Sequence, residues 1–296
     1  MNLTMGILKK RSTWDRINRW GLLFIIPALL YFGIFKFYPM FHAFYLSFFQ
    51  SDLINRPTFT GLANYISLFS DRLFLQSVGA SVFYVLGTCI PIWILSLALA
   101  LLVVGLGRGK NLIRLLYFIP VIMSQIPVAL VWKFMYHPMG LINTFLQYFG
   151  FGQINWLTDA QLAMPALLIP GIWRGTPYFM VIFMAGLQAI PEQYYEAARI
   201  DGATGWKAFR HVTLPLLKNT TILVVIMSLI IGLKVFLNPK VMTGGGPSGA
   251  TRVLPLLIYQ TGFEFFKMGY ASAMSMIMFA AIMFLTLIQF KIFKAE

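Results

Sequence analysis

Long apolar runs that contain no acidic residue recur along this sequence, and they constrain its fold more than any other feature. About 20 apolar residues in a helix cross the hydrocarbon core of a bilayer, so each run is predicted to be a transmembrane helix. The six predicted spans are Trp20–Phe49, Leu75–Val104, Leu115–Trp132, Gln161–Ile190, Thr220–Leu237 and Met268–Phe290. The first run exceeds the roughly 7–15 residues of a signal-peptide core, so we expect it to be retained. The sequence therefore predicts an all-α polytopic membrane protein with six transmembrane helices.

Positive charge is distributed unevenly between the links that join these spans. The chain carries 23 basic and 9 acidic residues, which give a net charge of +14. If the spans alternate across a bilayer, 14 basic residues fall on one side: Lys9, Lys10, Arg11, Arg16, Arg19, Arg108, Lys110, Arg114, Arg199, Lys207, Arg210, Lys218, Lys291 and Lys294. The other side receives Arg56, Arg72, Lys240, Arg252 and Lys267. Because basic residues favour the cytoplasmic side, both termini and segment 191–215 are predicted to be cytoplasmic. The charge thus indicates topology and not nucleic-acid binding.

Motifs typical of catalysis or phosphate binding are missing from the sequence. GLGRGKN at 105–111 lacks the spacing of a P-loop and follows a membrane span, and MTGGGP at 242–247 has no Lys after its glycines. No HExxH or GxSxG occurs, and the single Cys89 excludes an intrachain disulfide. We therefore predict no catalytic residue, no metal site and no cofactor in this chain. The spans also lack the Asp or Glu typical of proton-coupled carriers, which disfavours a stand-alone carrier or channel.

The links on the predicted outer side differ in character. Residues 51–74 are expected to form a polar turn followed by an amphipathic helix, and residues 238–252 a glycine-rich loop. Residues 137–160 are expected to contain a helix that lies at the membrane interface, with Trp156 as its headgroup anchor.

One basic residue lies near the middle of a predicted span. Arg174 is costly in hydrocarbon, so it is expected to face either a polar cavity or a polar network between helices. Gly171 and Gly175, one turn apart, are expected to leave a groove on the same helix face, and Tyr178 follows one turn later. On the fifth span, Ser228 and Gly232 precede Lys234, which is expected to approach the same cavity.

A polar segment, PEQYYEAARIDGATGWKAFRHVTLP, separates the fourth and fifth spans. A helix is predicted from Glu192 to Arg199 after Pro191, ended by a left-handed Gly202. A second short helix is predicted over Trp206–His211, stopping before Pro215. Composition alone fits two interpretations equally, a helix shaped for a groove on another protein or an ordinary solvated loop.

The spacing within this segment resembles the EAA loop of ABC-importer permeases. Glu196-Ala197-Ala198 is followed by Gly202 and, after nine residues, by Val212-Thr213-Leu214-Pro215, with Val212 in place of the usual Ile. AGLQAIPEQYYEAARIDGA, GLIN, INWLTD, MTGGGP and GYASAMS resemble the carbohydrate-uptake branch of these permeases, which includes maltose and glycerol-phosphate types.

This resemblance implies a type I ABC importer with a MetI-like core. Residues 1–74 would hold a cytoplasmic N-terminus, the first span and an outer loop, and residues 75–296 a permease core of five spans with the coupling loop at 191–215. The chain would import a di- or oligosaccharide across a bacterial cytoplasmic (inner) membrane, or alternatively glycerol phosphate or another non-sugar solute. Its partners would be a second homologous permease, two ATPase subunits that bind ATP and Mg²⁺, an extracytoplasmic solute-binding protein and membrane lipid.

The resemblance also implies roles for particular residues, and no enzyme activity for this chain. ATPase coupling would fall to Glu196, Ala197, Ala198, Asp201, Gly202, Leu214 and Pro215. The substrate pathway would be lined by Gly171, Arg174, Gly175, Tyr178, Ser228 and Gly232. Arg174 would suit an acidic substrate, such as a uronate-containing oligosaccharide or glycerol phosphate.

Overall fold

The structure, a computed structural model, describes residue 21 and residues 23–52, 54–106 and 109–294, and it is almost entirely helical. The five basic residues before the first span and Arg108 lie outside the described residues. The helices are α1 Leu23–Leu46, α2 Ala63–Ser70, α3 Arg72–Gly105, α4 Lys110–Ile122, α5 Gln125–Met135, α6 Leu141–Tyr148, α7 Ala163–Gln188, α8 Glu192–Ile200, α9 Trp206–Ala208, α10 Leu214–Leu216, α11 Lys218–Leu233, α12 Leu237–Met242, α13 Leu254–Tyr259 and α14 Met268–Lys294.

Five helical stretches of the described chain are long and apolar enough to cross a membrane. They are Leu23–Leu46, Arg72–Gly105, Ala163–Gln188, Lys218–Met242 and Met268–Gln289. The remaining predicted span, Leu115–Trp132, is not one helix, since α4 and α5 meet at an angle of 92°. Six spans therefore result when this bent pair is counted as one.

The break between α4 and α5 follows from Pro127. A proline has no N–H for the carbonyl four residues earlier, and its ring clashes with that carbonyl. The affected carbonyl belongs to Met123, where the backbone turns extended (ψ 142°), as it does at Ser124 (ψ 137°). Pro127 then falls in the first turn of α5, where a missing N–H costs nothing.

The polar segment also differs from the sequence prediction near Pro215. The second short helix does not stop before this residue, because Trp206–Ala208 continues through a π-helical turn, Phe209–Thr213, into Leu214–Leu216. Pro215 follows directly on the π-helical turn, where the amide of Leu214 bonds to the carbonyl of Phe209, so the regular ladder of bonds that a proline would break is already interrupted. The polar segment is thus joined to α11 by nearly continuous helical chain.

The link after α1 contains a small hairpin that the sequence analysis did not anticipate. Strands β1 Phe49–Gln50 and β2 Thr58–Phe59 pair antiparallel, and the predicted amphipathic helix follows as α2. Asp71 then caps α3 by accepting hydrogen bonds from the amides of Leu73 (2.8 Å) and Phe74 (3.4 Å). It also accepts one from the hydroxyl of Tyr270 (2.8 Å), which ties the start of α14 to the start of α3.

The centre of the molecule is the long contact between α3 and α7, against which α11 packs. One buried apolar cluster lies in the half near the polar segment and includes Met180, Phe183, Leu217 and Val224. A second cluster, near the opposite ends of these helices, includes Tyr84, Leu167, Met242 and Val253. The space between the helices at mid-length is where the candidate site lies.

Candidate functional site

A cavity of about 590 Å³ lies among α3, α7, α11, α12 and the break between α4 and α5. It is lined by all six residues that the sequence analysis assigned to a substrate pathway: Gly171, Arg174, Gly175, Tyr178, Ser228 and Gly232. Lys234, which was expected to approach the same space, lines it as well. The structure thus brings these residues together, while their role in transport stays a prediction.

Helical spacing explains why these residues converge on the cavity. The four on α7 lie at positions i, i+3, i+4 and i+7, which share one face of an α-helix, and the two on α11 lie one turn apart. The opposite wall is formed by α3, through Tyr84, Thr88 and Ile92, which are also spaced at four residues.

The α3 wall was missed by the sequence analysis. A signal was present, because polar side chains recur within this otherwise apolar run at helical spacing: Ser77, Ser81, Tyr84 and Thr88. All four are buried in the structure. Gln125 and Asn238, also in the lining, had no comparable signal, because each reaches the cavity only through the break or turn that precedes its helix.

The glycines of α7 do not leave the open groove that we expected. A Cβ on Gly171 would lie 2.6 Å from the hydroxyl oxygen of Tyr84, and a Cβ on Gly175 would lie 2.6 Å from Cδ1 of Ile92. These glycines therefore allow α3 and α7 to pack closely, as small residues commonly do between membrane helices. The groove is filled by α3, and the cavity opens beside this contact.

Two polar groups of the cavity region differ in how they are satisfied. The indole Nε1 of Trp93 donates a hydrogen bond to Oγ of Ser228 at 2.7 Å, which links α3 to α11. In contrast, Nη1 of Arg174 is buried and has no hydrogen-bond partner among the described residues. Of the two arrangements expected for Arg174, the cavity wall is the one that the structure supports.

The electrostatic character of the cavity is positive. Arg174 and Lys234 line it, and none of the described residues around it is acidic. The rest of the lining combines aromatic and aliphatic surface with a few hydroxyl and amide groups, which is the usual make-up of a small-molecule site. No three His, Cys, Asp or Glu residues of the described chain are grouped so that they could hold a metal ion.

The polar segment forms the second part of the site, at the C-terminal end of α7. Helix α8 begins after Pro191 and ends at Ile200, and Gly202 then adopts the expected left-handed conformation (φ 73°). The amide of Ala203 donates to the carbonyl of Ala198 at 2.7 Å, which closes the end of the helix. The prediction of this helix and of its glycine stop is therefore reproduced by the structure.

Most of the predicted coupling residues are available to a partner, but one is not. Glu196, Ala197, Asp201, Gly202, Leu214 and Pro215 are exposed. Ala198 is the buried residue of α8, with 7% of its surface exposed, so it packs inward against its own chain. The hydroxyl of Tyr195 lies 3.1 Å from Oγ1 of Thr213, a hydrogen bond that fixes α8 against the following turn.

The cavity and the polar segment are connected by one helix. Tyr178 in the cavity and the end of α7 at Gln188 are ten residues apart, which is about 15 Å of helix. The cavity wall and the start of the polar segment thus belong to the same helical stretch and its three-residue link, 189–191.

The fold has a clear counterpart among solved structures. The crystal structure of a bacterial ABC transporter involved in the import of the acidic polysaccharide alginate contains a chain that superposes with a TM-score of 0.84. The match covers 96% of this chain and 99% of that one, at 20% sequence identity. The predicted fold class, an all-α membrane protein with a MetI-like importer core, is thereby confirmed.

Sequence relatives are of the same kind and match along nearly the whole chain. The probable ABC transporter permease protein YurN of Bacillus subtilis is 36% identical, covering 92% of this chain and 95% of the relative. The trehalose/maltose transport system permease protein MalF of Thermococcus litoralis is 34% identical, covering 92% of each. Residues 81–295, which include the cavity and the polar segment, match the profile of one family. The chain belongs to that family, the inner membrane components of binding-protein-dependent transport systems.

Proposed function

We propose that this chain is the permease subunit that moves a di- or oligosaccharide into the cytoplasm, coupled through residues 191–215 to ATP hydrolysis on a separate subunit. The observation that carries this proposal is the continuity of α7, which lines the cavity at its middle and leads directly into the exposed polar segment. The chain itself then performs no chemistry, and binding energy and helix movement are its whole contribution.

The substrate class is supported by the lining of the cavity and by one relative. Tyr84, Tyr178 and Phe236 offer aromatic faces, while Thr88 and Asn238 offer hydrogen-bonding groups, a combination suited to a sugar ring. The volume lies within the range of about 300–1,000 Å³ usual for small-molecule sites. The relative from Thermococcus litoralis is named for trehalose and maltose transport.

The coupling role is supported by the surface of the polar segment. Large apolar side chains are exposed there, notably Ile200 (86%) and Trp206 (71%), although the surrounding residues are polar. Large apolar side chains exposed within a polar segment are consistent with a protein contact site. We assign the surface of this segment to the ATPase subunit, which would bind ATP and Mg²⁺, with Glu196 placed to meet a basic group.

The family requires a binding protein, and the proposed assembly has further members. It comprises a second homologous permease, two ATP-binding subunits and surrounding membrane lipid. The uneven basic residues support an orientation with both termini and residues 191–215 in the cytoplasm. In that orientation α6 and the glycine-rich loop after α12 face the binding protein's side of the membrane.

A transport assay on the reconstituted importer tests this function. Vesicles would contain this chain with its partner permease, ATPase and binding protein, and uptake of labelled maltose and longer glucosides would be measured with and without ATP. We expect ATP-dependent uptake that is reduced in Tyr178→Ala and retained in Tyr31→Phe, whose exposed side chain lies on α1, a helix that does not line the cavity. Uptake without the ATPase, or no uptake of any saccharide, would contradict the proposal.

A second substrate class is favoured by one specific observation. Nη1 of Arg174 is buried without a partner, and Lys234 adds a second positive charge to a cavity whose described lining has no acid. A buried cation is stabilised by a counter-charge, which an anionic solute such as a uronate-containing oligosaccharide or glycerol phosphate would supply. Arg174→Gln should then reduce uptake of an acidic solute more than uptake of its neutral counterpart. Equal effects on both would remove this candidate.

A further inference from the structure

Helix α6 presents three different faces around its axis. Asn143 is buried and Leu146 is half-buried on the face toward the protein, and Thr144 and Gln147 lie together on an exposed polar face. The third face is exposed and carries large apolar side chains at helical spacing: Leu141, Phe145, Tyr148 and Phe149. At about 100° per residue these three faces are roughly a third of a turn apart.

The large side chains on the apolar face of α6 are highly exposed. Phe145 is 63% exposed and Tyr148 is 90% exposed, and the ring of Phe149 lies 5.0 Å from that of Phe145 in an edge-on arrangement. No Lys, Arg, Asp or Glu occurs between Lys133 and Asp159. A patch of this kind is unfavourable in water, since contiguous exposed apolar surface promotes association.

The position of α6 in the chain places it at the level of a membrane surface. Five residues, 136–140, separate it from the end of α5, the second half of the bent span. The exposed side of that half carries Val131 and Phe134, so the apolar face of α6 continues a surface that faces lipid. Helix α6 also precedes α7, whereas the polar segment follows it, so the two lie on opposite sides of the bilayer.

The loop around α6 is held rigidly. The side-chain amide of Asn143 donates to the carbonyls of His137 (3.2 Å) and Ile154 (2.9 Å), and its oxygen accepts from the amide of Ile154 (3.1 Å). These bonds fix the orientation of the helix relative to the chain on both sides of it. The apolar face is therefore directed by the fold and is not the result of a loosely attached segment.

Trp156, the expected headgroup anchor, packs against the core of its own chain. Its ring is half-buried against Tyr136, at a centroid distance of 5.8 Å, and its Nε1 is buried in the second apolar cluster. This packing holds the loop on the core, and the anchoring role of Trp156 stays a prediction.

From these observations we propose that α6 lies in the membrane interface opposite the polar segment, with Leu141, Phe145, Tyr148 and Phe149 inserted into the acyl-chain boundary and Thr144 and Gln147 in the water layer. The occupant of the apolar face is the phospholipid surface, because it is present at all times, while a binding protein that docks reversibly would leave the aromatic rings in water between encounters. Membrane binding of an interfacial helix scales with the apolar area it buries, which these four side chains would supply.

This anchor has a mechanical consequence for the bent span. Helix α5 packs on α12, and Nζ of Lys133 donates to the carbonyl of Val241 at 3.3 Å. A fixed α6 would hold α5 and α12 at constant depth while α7 moves with the polar segment. The interface helix would thus supply a stationary reference on the side of the cavity away from the ATPase.

Spin labels on single introduced cysteines test the placement. Leu141→Cys and Tyr148→Cys probe the apolar face, and Thr144→Cys and Gln147→Cys are matched controls on the polar face of the same helix. The wild-type chain, whose Cys89 is buried, serves as the labelling blank. The assembled importer would be reconstituted in vesicles of phosphatidylethanolamine and phosphatidylglycerol.

The expected result is an accessibility to oxygen several-fold higher than that to a water-soluble nickel chelate at 141 and 148, with the order reversed at 144 and 147. Equal nickel accessibility on both faces would place the helix in water and overturn the proposal. Immobile labels at 141 and 148 that neither reagent reaches would also overturn it, since another protein subunit would then cover the face.

A measurement on the unmodified chain guards against variants that fail to assemble. A phospholipid with a photoactivatable group near its glycerol backbone would be incorporated in the same vesicles, and crosslinked residues would be identified by mass spectrometry. Crosslinks to Leu141, Phe145, Tyr148 or Phe149 and none to Gln147 are expected. Their absence from all four apolar residues, alongside crosslinks to α1 in the same sample, would refute the insertion.

Discussion

The cavity and the polar segment are built in opposite ways. The polar segment is contiguous in sequence, largely exposed and shaped by local rules, with a proline at its start and a left-handed glycine at its turn. The cavity is assembled from several helices, with lining residues that run from Tyr84 to Asn238, and it lies beside the contact where glycines let α3 and α7 approach closely. A substitution in the polar segment should therefore affect communication with a partner, and a substitution around the cavity should affect the packing of the chain itself.

The largest effect is expected from a charge reversal on the polar segment. Glu196→Lys should lower coupled uptake by about tenfold or more, since coupling free energies of about 1–3 kcal/mol correspond to factors of about 5–150. Gly202→Asp should act in the same direction, because it adds charge and a side chain at a left-handed position (φ 73°). The measurement is uptake and substrate-stimulated ATP hydrolysis at equal amounts of protein in the membrane.

The control for this charge reversal is Gln193→Lys, an exposed position on the same helix outside the predicted contact. It should keep most of the coupled activity. Full substrate-stimulated hydrolysis in both Glu196→Lys and Gly202→Asp would remove the coupling assignment.

The next largest effect is expected at the α3–α7 contact. Gly171→Val should destabilise the folded chain by about 1–3 kcal/mol, as overpacking commonly does, because even its Cβ would lie 2.6 Å from the Tyr84 hydroxyl. Thermal unfolding of the purified complex measures this loss. Gly79→Val is the matched control, since a Cβ there has nothing within 4 Å. Equal losses at both positions would show that the close approach is not what Gly171 provides.

A smaller effect is expected from the hydrogen bond between α3 and α11. Ser228→Ala leaves Nε1 of the half-buried Trp93 without its 2.7 Å acceptor, and loss of such a hydrogen bond costs about 1 kcal/mol. The double variant with Trp93→Phe should lose less than the sum of the single losses. Ser275→Ala, whose hydroxyl bonds to the Ala271 carbonyl of its own helix, is the control. Strict additivity of the two single variants would contradict a direct bond.

The smallest effect is expected within the polar segment. Tyr195→Phe removes the bond to Thr213, worth about 0.5–1.5 kcal/mol, and should leave the membrane core as stable as before. Faster hydrogen exchange at the amides of α8 would report this local loosening. Tyr194→Phe, at the exposed neighbouring position, should leave the exchange unchanged. A global loss of stability in Tyr195→Phe would show that the two regions are not as independent as proposed.

Much of the architecture could be predicted because its causes are local. The apolar runs locate the spans, and Pro191 and Gly202 delimit α8, since each acts through its own backbone geometry. The convergence of Arg174 with Ser228 on one cavity could be anticipated from helix faces and from the resemblance. The family and the fold follow from the same features. The division of the chain at residue 74 and the roles of individual site residues stay predictions.

The remaining features depend on neighbours that are distant in sequence. The bend between α4 and α5 follows from Pro127, yet Pro91, Pro170 and Pro177 lie inside helices that continue, so a proline alone does not decide where a span breaks. The inward burial of Ala198 and the occupation of the Gly171 groove by Tyr84 also required the packed structure.

By itself, the sequence determined that the chain crosses a membrane and carries an exposed helical segment of EAA type, because hydrophobic length and backbone conformation act over a few residues. The tertiary structure alone decided which side chains meet around the cavity and that Arg174 is left there with an unpaired buried nitrogen. It also decided that the side chains of Phe145 and Tyr148 are exposed, whereas Trp156 packs against Tyr136. Burial and pairing are properties of packed neighbours, and those neighbours come from segments far apart in the chain.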